Sequence, residues 1–155
     1  FEFKIESIGA IPPLVIFSRA LKILNEKITT FRNNLMQGNE NEITISPSLN
    51  LSGAFLIVIK NEDDTLGNVI QSYFNQLYCG YNDKDRLLNY FGYIKPHPLV
   101  NEIHMTIQPS SGSKKFPDLI ETIFNPGCMY IVRQINNLAI ALEKSPQFIS
   151  EMKKI

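Results

Sequence analysis

Tryptophan is absent, and cysteine and histidine occur twice each, as Cys79, Cys128, His97 and His104. Two thiols this far apart could form one disulfide, but nothing else in the sequence suggests a secreted chain. A four-ligand zinc site would need all four residues to converge with no CxxC or HxxxH pair to start from. Reduced, partly buried thiols are the plainer reading. An excess of charge is also missing: 15 basic residues meet 15 acidic ones. A free-standing nucleic-acid binder normally carries a basic surplus to neutralise phosphates, so that class is disfavoured. A disordered chain pairs low hydrophobicity with high net charge, whereas 44% of these residues are hydrophobic. No apolar run approaches the roughly 18–20 residues of a membrane span. No basic-then-apolar segment opens the chain, which points to an intracellular protein. The first residue is Phe1 and not Met, so the sequence reads as a piece of a longer chain. Neither G-x-x-x-x-G-K-[ST] nor G-x-G-x-x-G occurs, so no phosphate cradle is visible.

What remains is enough for one domain, since a chain of about 150 residues buries roughly 70% of its unfolded surface. Ile occurs 21 times and Asn 15 times, against 5 Ala and 4 Arg, a skew typical of an AT-rich genome. Phe1, Phe3 and Ile5 alternate with charged residues, the period of a half-buried strand. After Pro12 and Pro13, which suit a first helical turn, apolar residues recur at Leu14, Phe17, Leu21, Leu24, Ile28, Phe31 and Leu35. That spacing of threes and fours is an a/d seam over residues 12–37, and such a helix must meet another lengthwise. Gly38 ends it.

Residues 38–50 are polar and read as a linker, within which Ile43 and Ile45 offer a short edge strand. Residues 51–60 form a strand with a dense apolar stretch. Glu62-Asp63-Asp64-Thr65 then caps a helix whose apolar face runs Leu66, Val69, Ile70, Tyr73, Phe74, Leu77. Strands follow over 88–94 and 102–107, with an extended turn at Pro96-His97-Pro98 between them. The tail is helical in two pieces, 116–124 and 128–145, with Asn125-Pro126-Gly127 read as a break. Ile131, Ile135, Leu138 and Leu142 line the second piece, and Pro146 kinks or ends it.

Candidate catalysts are few. The three acids at 62–64 are better read as helix caps than as a metal site. A general base at His97 has no nucleophile or orienting acid near it in sequence. The basic pairs Lys114-Lys115 and Lys153-Lys154 read as solvated surface. The strong signal is the seam, which points to helix-on-helix assembly, with an ordinary buried core helix as the alternative. A stand-alone α/β ligand-binding or regulatory domain competes with that reading, but it needs a pocket that the sequence does not advertise. An enzyme ranks third.

Two groups of residues carry a resemblance. Glu62-Asp63-Asp64-Thr65-Leu66-Gly67-Asn68, with Gly92-Tyr93 and Pro96-His97-Pro98-Leu99 beyond it, resembles the eleventh subunit of eukaryotic RNA polymerase II and its L-type archaeal counterpart. The match covers roughly residues 51–152. Phe3-Lys4-Ile5-Glu6-Ser7-Ile8-Gly9 and the helix after Pro12-Pro13 resemble the C-terminal part of the third polymerase subunit and its D-type archaeal counterpart, over 1–36. This sequence departs from the pattern at Asp64, where many relatives have His, in the 78–87 insert, and at Asn125-Pro126-Gly127. The two halves in one chain are similar to the fused polymerase subunit of large cytoplasmic DNA viruses, African swine fever virus foremost.

The resemblance implies an α+β fold with an antiparallel sheet packed on long amphipathic helices. This is the RNA polymerase D/L dimerisation fold, shared with the bacterial alpha N-terminal domain. Residues 1–37 would be a D-like dimerisation segment, 38–50 a linker and 51–155 an L-like dimerisation domain. It implies a non-catalytic platform on which the large catalytic subunits assemble with the small assembly subunits. DNA would be met only through the complex, without cofactor or membrane, in the host cytoplasm and virion. The seam Leu14, Phe17, Leu21, Leu24, Ile28 and Phe31 would meet Ile70, Phe74, Ile131, Ile135 and Leu138. Gly67 would allow a close helix approach. Only three of the family's four layer helices are present, so an apolar strip around Val15, Ile16 and Ile23 should drive homodimerisation.

Overall fold

The computed structural model describes residues 4–80, 86–110 and 115–153. Its first element is α1, Pro13–Gln37, entered through Pro12 in extended conformation and closed by Gly38 at φ 63°. That left-handed cap is the conformation glycine adopts without a Cβ penalty. The alternation at the chain start forms no ladder: residues 4–8 are irregular, with Ile5 and Ile8 exposed. A strand needs a pairing partner as well as the right period, and Ile5 lies beside Leu14 and Glu151 at the helix ends, away from the sheet. Residues 1–3, the 81–85 part of the insert, 111–114 and 154–155 lie outside the described residues.

That edge strand is β1, Ile43–Pro47, and it precedes β2, Phe55–Lys60. Helix α2 spans Asp64–Tyr78, followed by β3, Leu88–Ile94, and β4, Glu102–Pro109. The sheet is antiparallel throughout in the order β1-β2-β4-β3. Ile57, Ile59, Ile103, Met105 and Ile107 point from the two central strands into the core, and Thr106 and His104 to the other side. This is the period-2 division of one covered and one open face.

The last helical segment runs without a break through the residues read as an interruption. Helix α3, Phe116–Leu119, passes into a π turn, Ile120–Phe124, and then into α4, Asn125–Glu143. The widened turn is what admits Pro126. Asn125 N–H reaches back five residues to Ile120 O, and Pro126 falls in the first turn of α4, where its missing N–H costs little. Gly127 is fixed by packing, since a β-carbon there would lie 2.6 Å from Phe74 Cε1. Tyr78 Oη donates to Ile123 O at 3.0 Å and ties the π turn to α2. Ser145 caps a short α5, Pro146–Met152.

Helices α1, α2 and α4 form a layer on the covered face, with α1 lying along α4. The aromatic centre joins all of them. Phe74 of α2 meets Phe124 at 5.4 Å and Phe91 at 5.0 Å with the rings tilted, and Phe31 of α1 meets Phe124 at 6.1 Å.

Candidate helix-pairing interface

The seam of α1 is buried unevenly. Leu21, Ile28, Phe31 and Leu35 are buried, whereas Leu14, Phe17 and Leu24 are half-buried. Val15 and Ser18 are buried off the a/d stripe, so the covered face rotates toward them near the helix start. A straight helix of 3.6 residues per turn drifts against a heptad repeat, which accounts for the rotation. From the other half, Ile70, Phe74 and Ile131 are fully buried and Ile135 is 7% exposed. Leu138 is 48% exposed and stands away from the seam; Ala139 and Leu142 pack against the core in its place.

Polar contacts set the axial position of α1, and residue pattern gives no hint of them. Glu151 of α5 accepts the Leu14 N–H at 3.0 Å and so satisfies an open donor at the helix start. Asn25 donates to Asn136 Oδ1 at 2.7 Å, and Arg32 Nε donates to Asn125 Oδ1 at 2.6 Å. Lys27 Nζ sits 2.6 Å from Glu62 and 3.9 Å from Asp63. The Glu62 hydrogen bond holds the Lys27 ammonium above its ordinary pKa, although burial works against it. Burial pushes the Asp63 carboxyl up, but the Thr65 N–H and the Lys27 charge together bring it below the usual carboxylate range.

The acidic run thus divides its work. Asp63 is the N-cap of α2 and accepts from Thr65 N–H at 2.9 Å, while Glu62 faces α1. Asp64 accepts from Tyr93 Oη at 3.2 Å. Leu66 is buried, Thr65 and Asn68 are exposed, and Gly67 lies against the Tyr93 ring. The close approach at Gly67 is therefore to a strand side chain, not to a neighbouring helix. In the exposed turn Pro96-His97-Pro98, His97 Nδ1 accepts the Leu99 N–H at 3.1 Å, a turn-forming contact. Among the described residues no group of three or more His, Cys, Asp or Glu converges as metal ligands do. Cys79 and Cys128 are free thiols. Burial pushes Cys128 up to about 12, offset only in part by the Arg32 charge.

Among the grooves beside α1, two differ sharply in chemistry. One is apolar and lined by Phe17, Ala20, Leu21, Ile23, Leu24, Lys27 and Thr65, with a volume of about 390 Å³. Ile23 is 57% exposed there, whereas Val15 is covered. The other lies between α1 and α4 and carries two arginines. A concavity of about 620 Å³ is an open depression on the uncovered sheet face, floored by Leu56, Thr106 and His104.

No family model matches the chain. It is 38% identical over 72 residues to the probable DNA-directed RNA polymerase II subunit RPB11 of Plasmodium berghei (strain Anka), and 36% identical over 72 residues to the same-named protein of Plasmodium chabaudi chabaudi. The chain is similar to a polymerase subunit. Each match covers 45% of this chain, which spans about half the length of these relatives, 51% in both. The four-stranded antiparallel sheet with its covering helices is compatible with the fold of such a protein. Among the described residues no helix is long and apolar enough to cross a membrane.

Proposed function

We propose that this chain is a non-catalytic assembly subunit of a viral DNA-directed RNA polymerase. Its D-like helix α1 pairs with an L-like body formed by the rest of the chain, and the pair supports assembly of the large catalytic subunits. The observation that carries this reading is the lengthwise packing of α1 on α4, with Phe31 entering the aromatic centre of the second half. The similarity to RPB11 proteins supports the same reading from sequence. DNA is reached only through the complex, and the working place is the host cytoplasm and the virion.

The apolar groove beside Ile23 is the place of a fourth helix in the layer. In the isolated fragment a second copy covers it, so the fragment self-associates. The exposed Ile23 and the half-buried Phe17 and Leu24 are what a second copy would cover there.

The experiment is affinity recovery of the tagged chain from infected cells, followed by sedimentation of the fragment alone. Recovery in equal amounts with the two largest polymerase subunits supports the platform. A free monomer in cells overturns it. A clean monomer of the isolated fragment at high concentration overturns the self-association alone.

A further inference from the structure

The second groove beside α1 has a different chemistry. Thr29 and Arg32 come from α1, and Met129, Val132, Arg133, Asn136 and Asn137 from α4, around a volume of about 390 Å³. No aspartate or glutamate lines it. Among the described residues neither guanidinium has a carboxylate partner. Arg32 Nε donates to Asn125 Oδ1 and Nη1 reaches Asn33 Oδ1 at 3.5 Å, which leaves Nη2 without a partner among the described residues. Arg133 is exposed, Val132 is half-buried, and Met129 is 56% exposed, so the floor is apolar and the rim is cationic.

We propose that this groove docks an acidic segment of a partner polypeptide, with an aspartate or glutamate carboxylate taken by Arg32 and Arg133 and an adjoining apolar side chain on Val132 and Met129. Arginine is suited to the task because its planar fork meets a carboxylate with two parallel hydrogen bonds. The site is composite, since each helix supplies one arginine, and it exists only while α1 lies on α4. An occupant therefore bridges the two halves. Nucleic acid fits less well: two cations over an apolar floor, in a chain of zero net charge, do not make the extended basic surface that phosphates require. The proposal goes beyond the polymerase reading and does not depend on it.

The test is a titration of the isotope-labelled chain with a blocked peptide of alternating Glu and Leu, followed by nuclear magnetic resonance. A Lys/Leu peptide and a short duplex DNA serve as the other arms. The expected result is saturable shifts confined to residues around Thr29, Arg32 and 129–137. These should weaken about tenfold in Arg133→Glu, less in Arg133→Lys, which keeps the charge but loses the fork, and fade between about 50 mM and about 500 mM salt. Arg133 is exposed, so its variants keep the fold, and the unperturbed spectrum of the remaining residues verifies that. No shifts with the Glu/Leu peptide, equal shifts with the Lys/Leu peptide, indifference to Arg133→Glu, or a response to DNA alone each overturn the proposal.

Discussion

Gly67 lies directly beneath the ring of Tyr93: a β-carbon on Gly67 would sit 2.5 Å from Tyr93 Cδ2 and 2.8 Å from Cγ. The ring cannot swing away freely, because Tyr93 Oη donates to Asp64 and Tyr93 N–H donates to Gln71 Oε1 at 2.9 Å. Through that last contact α2 also occupies a β3 donor. Gly67→Ala gains about 1 kcal/mol of helix propensity and incurs about 1–3 kcal/mol of overpacking, so the net effect is destabilising. In the Tyr93→Leu background the clash is relieved and the same substitution becomes neutral or stabilising. A double-mutant cycle by denaturant titration measures the coupling. Additive effects would show that the ring moves at no cost.

The seam gives a graded expectation. Ile28 is fully buried and Leu24 half-buried. Ile28→Ala should cost about 2–5 kcal/mol, the range for buried aliphatic truncation, and Leu24→Ala less. Equal losses, or a loss below about 1 kcal/mol at Ile28, would mean that α1 is not held by this face.

How far these contacts are legible in the sequence depends on their range. The 3–4 spacing of α1, the alternation of β4 and the aromatic content of β3 are local signals, and each element lies where its pattern places it. Ile43 and Ile45 in a polar stretch mark an edge strand correctly for the same reason. The alternation at Phe1 to Ser7 misleads, because period alone does not supply a pairing partner. Asn125-Pro126-Gly127 reads as a break because proline and glycine punctuate helices by default. The π turn that admits Pro126, and the Phe74 ring that requires Gly127, come from tertiary packing. The contacts Arg32–Asn125, Asn25–Asn136 and Leu14–Glu151 join residues about a hundred positions apart, where no window of sequence holds both partners. Leu138 fits the α4 spacing, yet the covered face runs through Ala139 and Leu142 and leaves Leu138 on the open side of the helix.

Asp63 gives a pH expectation. Its carboxyl is held below the ordinary range in the folded chain, so its contribution is present above the unfolded value and is lost as pH falls through the folded one. Asparagine caps a helix about as well as aspartate but does not titrate. The stability difference between the natural chain and Asp63→Asn should therefore shrink on acidification below the ordinary aspartate range. Thermal melts across that range are the check. A constant difference would place the acid sensitivity elsewhere.

Cys79 and Cys128 should separate in alkylation. Burial raises both thiols, but Cys79 is half-buried while Cys128 is closed within the core and pushed up to about 12. The thiolate is the nucleophile, so native Cys128 should label only through opening of the core. Cys79 should label first, more slowly than an unstructured thiol, and denaturant should bring both to one rate. Mass spectrometry of iodoacetamide-treated chain reads the order. Faster labelling of Cys128 would show that α4 leaves α2 readily.

Glu151 tests whether the C-terminal helix is part of the pairing. Its carboxylate accepts the Leu14 N–H from across the fold, and no residue in the α1 sequence supplies a side-chain cap. An anionic acceptor at a helix start also meets the positive end of the helix dipole. Glu151→Ala should therefore cost about 0.5–1 kcal/mol, with Glu151→Gln between the two because an amide oxygen still accepts but carries no charge. The loss should be local: amide exchange should quicken at Leu14 and its neighbours in the first turn, while Ile28, Phe31 and Leu35 keep their protection. Quickened exchange along all of α1 would mean that α5 holds the whole helix onto α4. No change at Leu14 would mean that solvent replaces the carboxylate without loss.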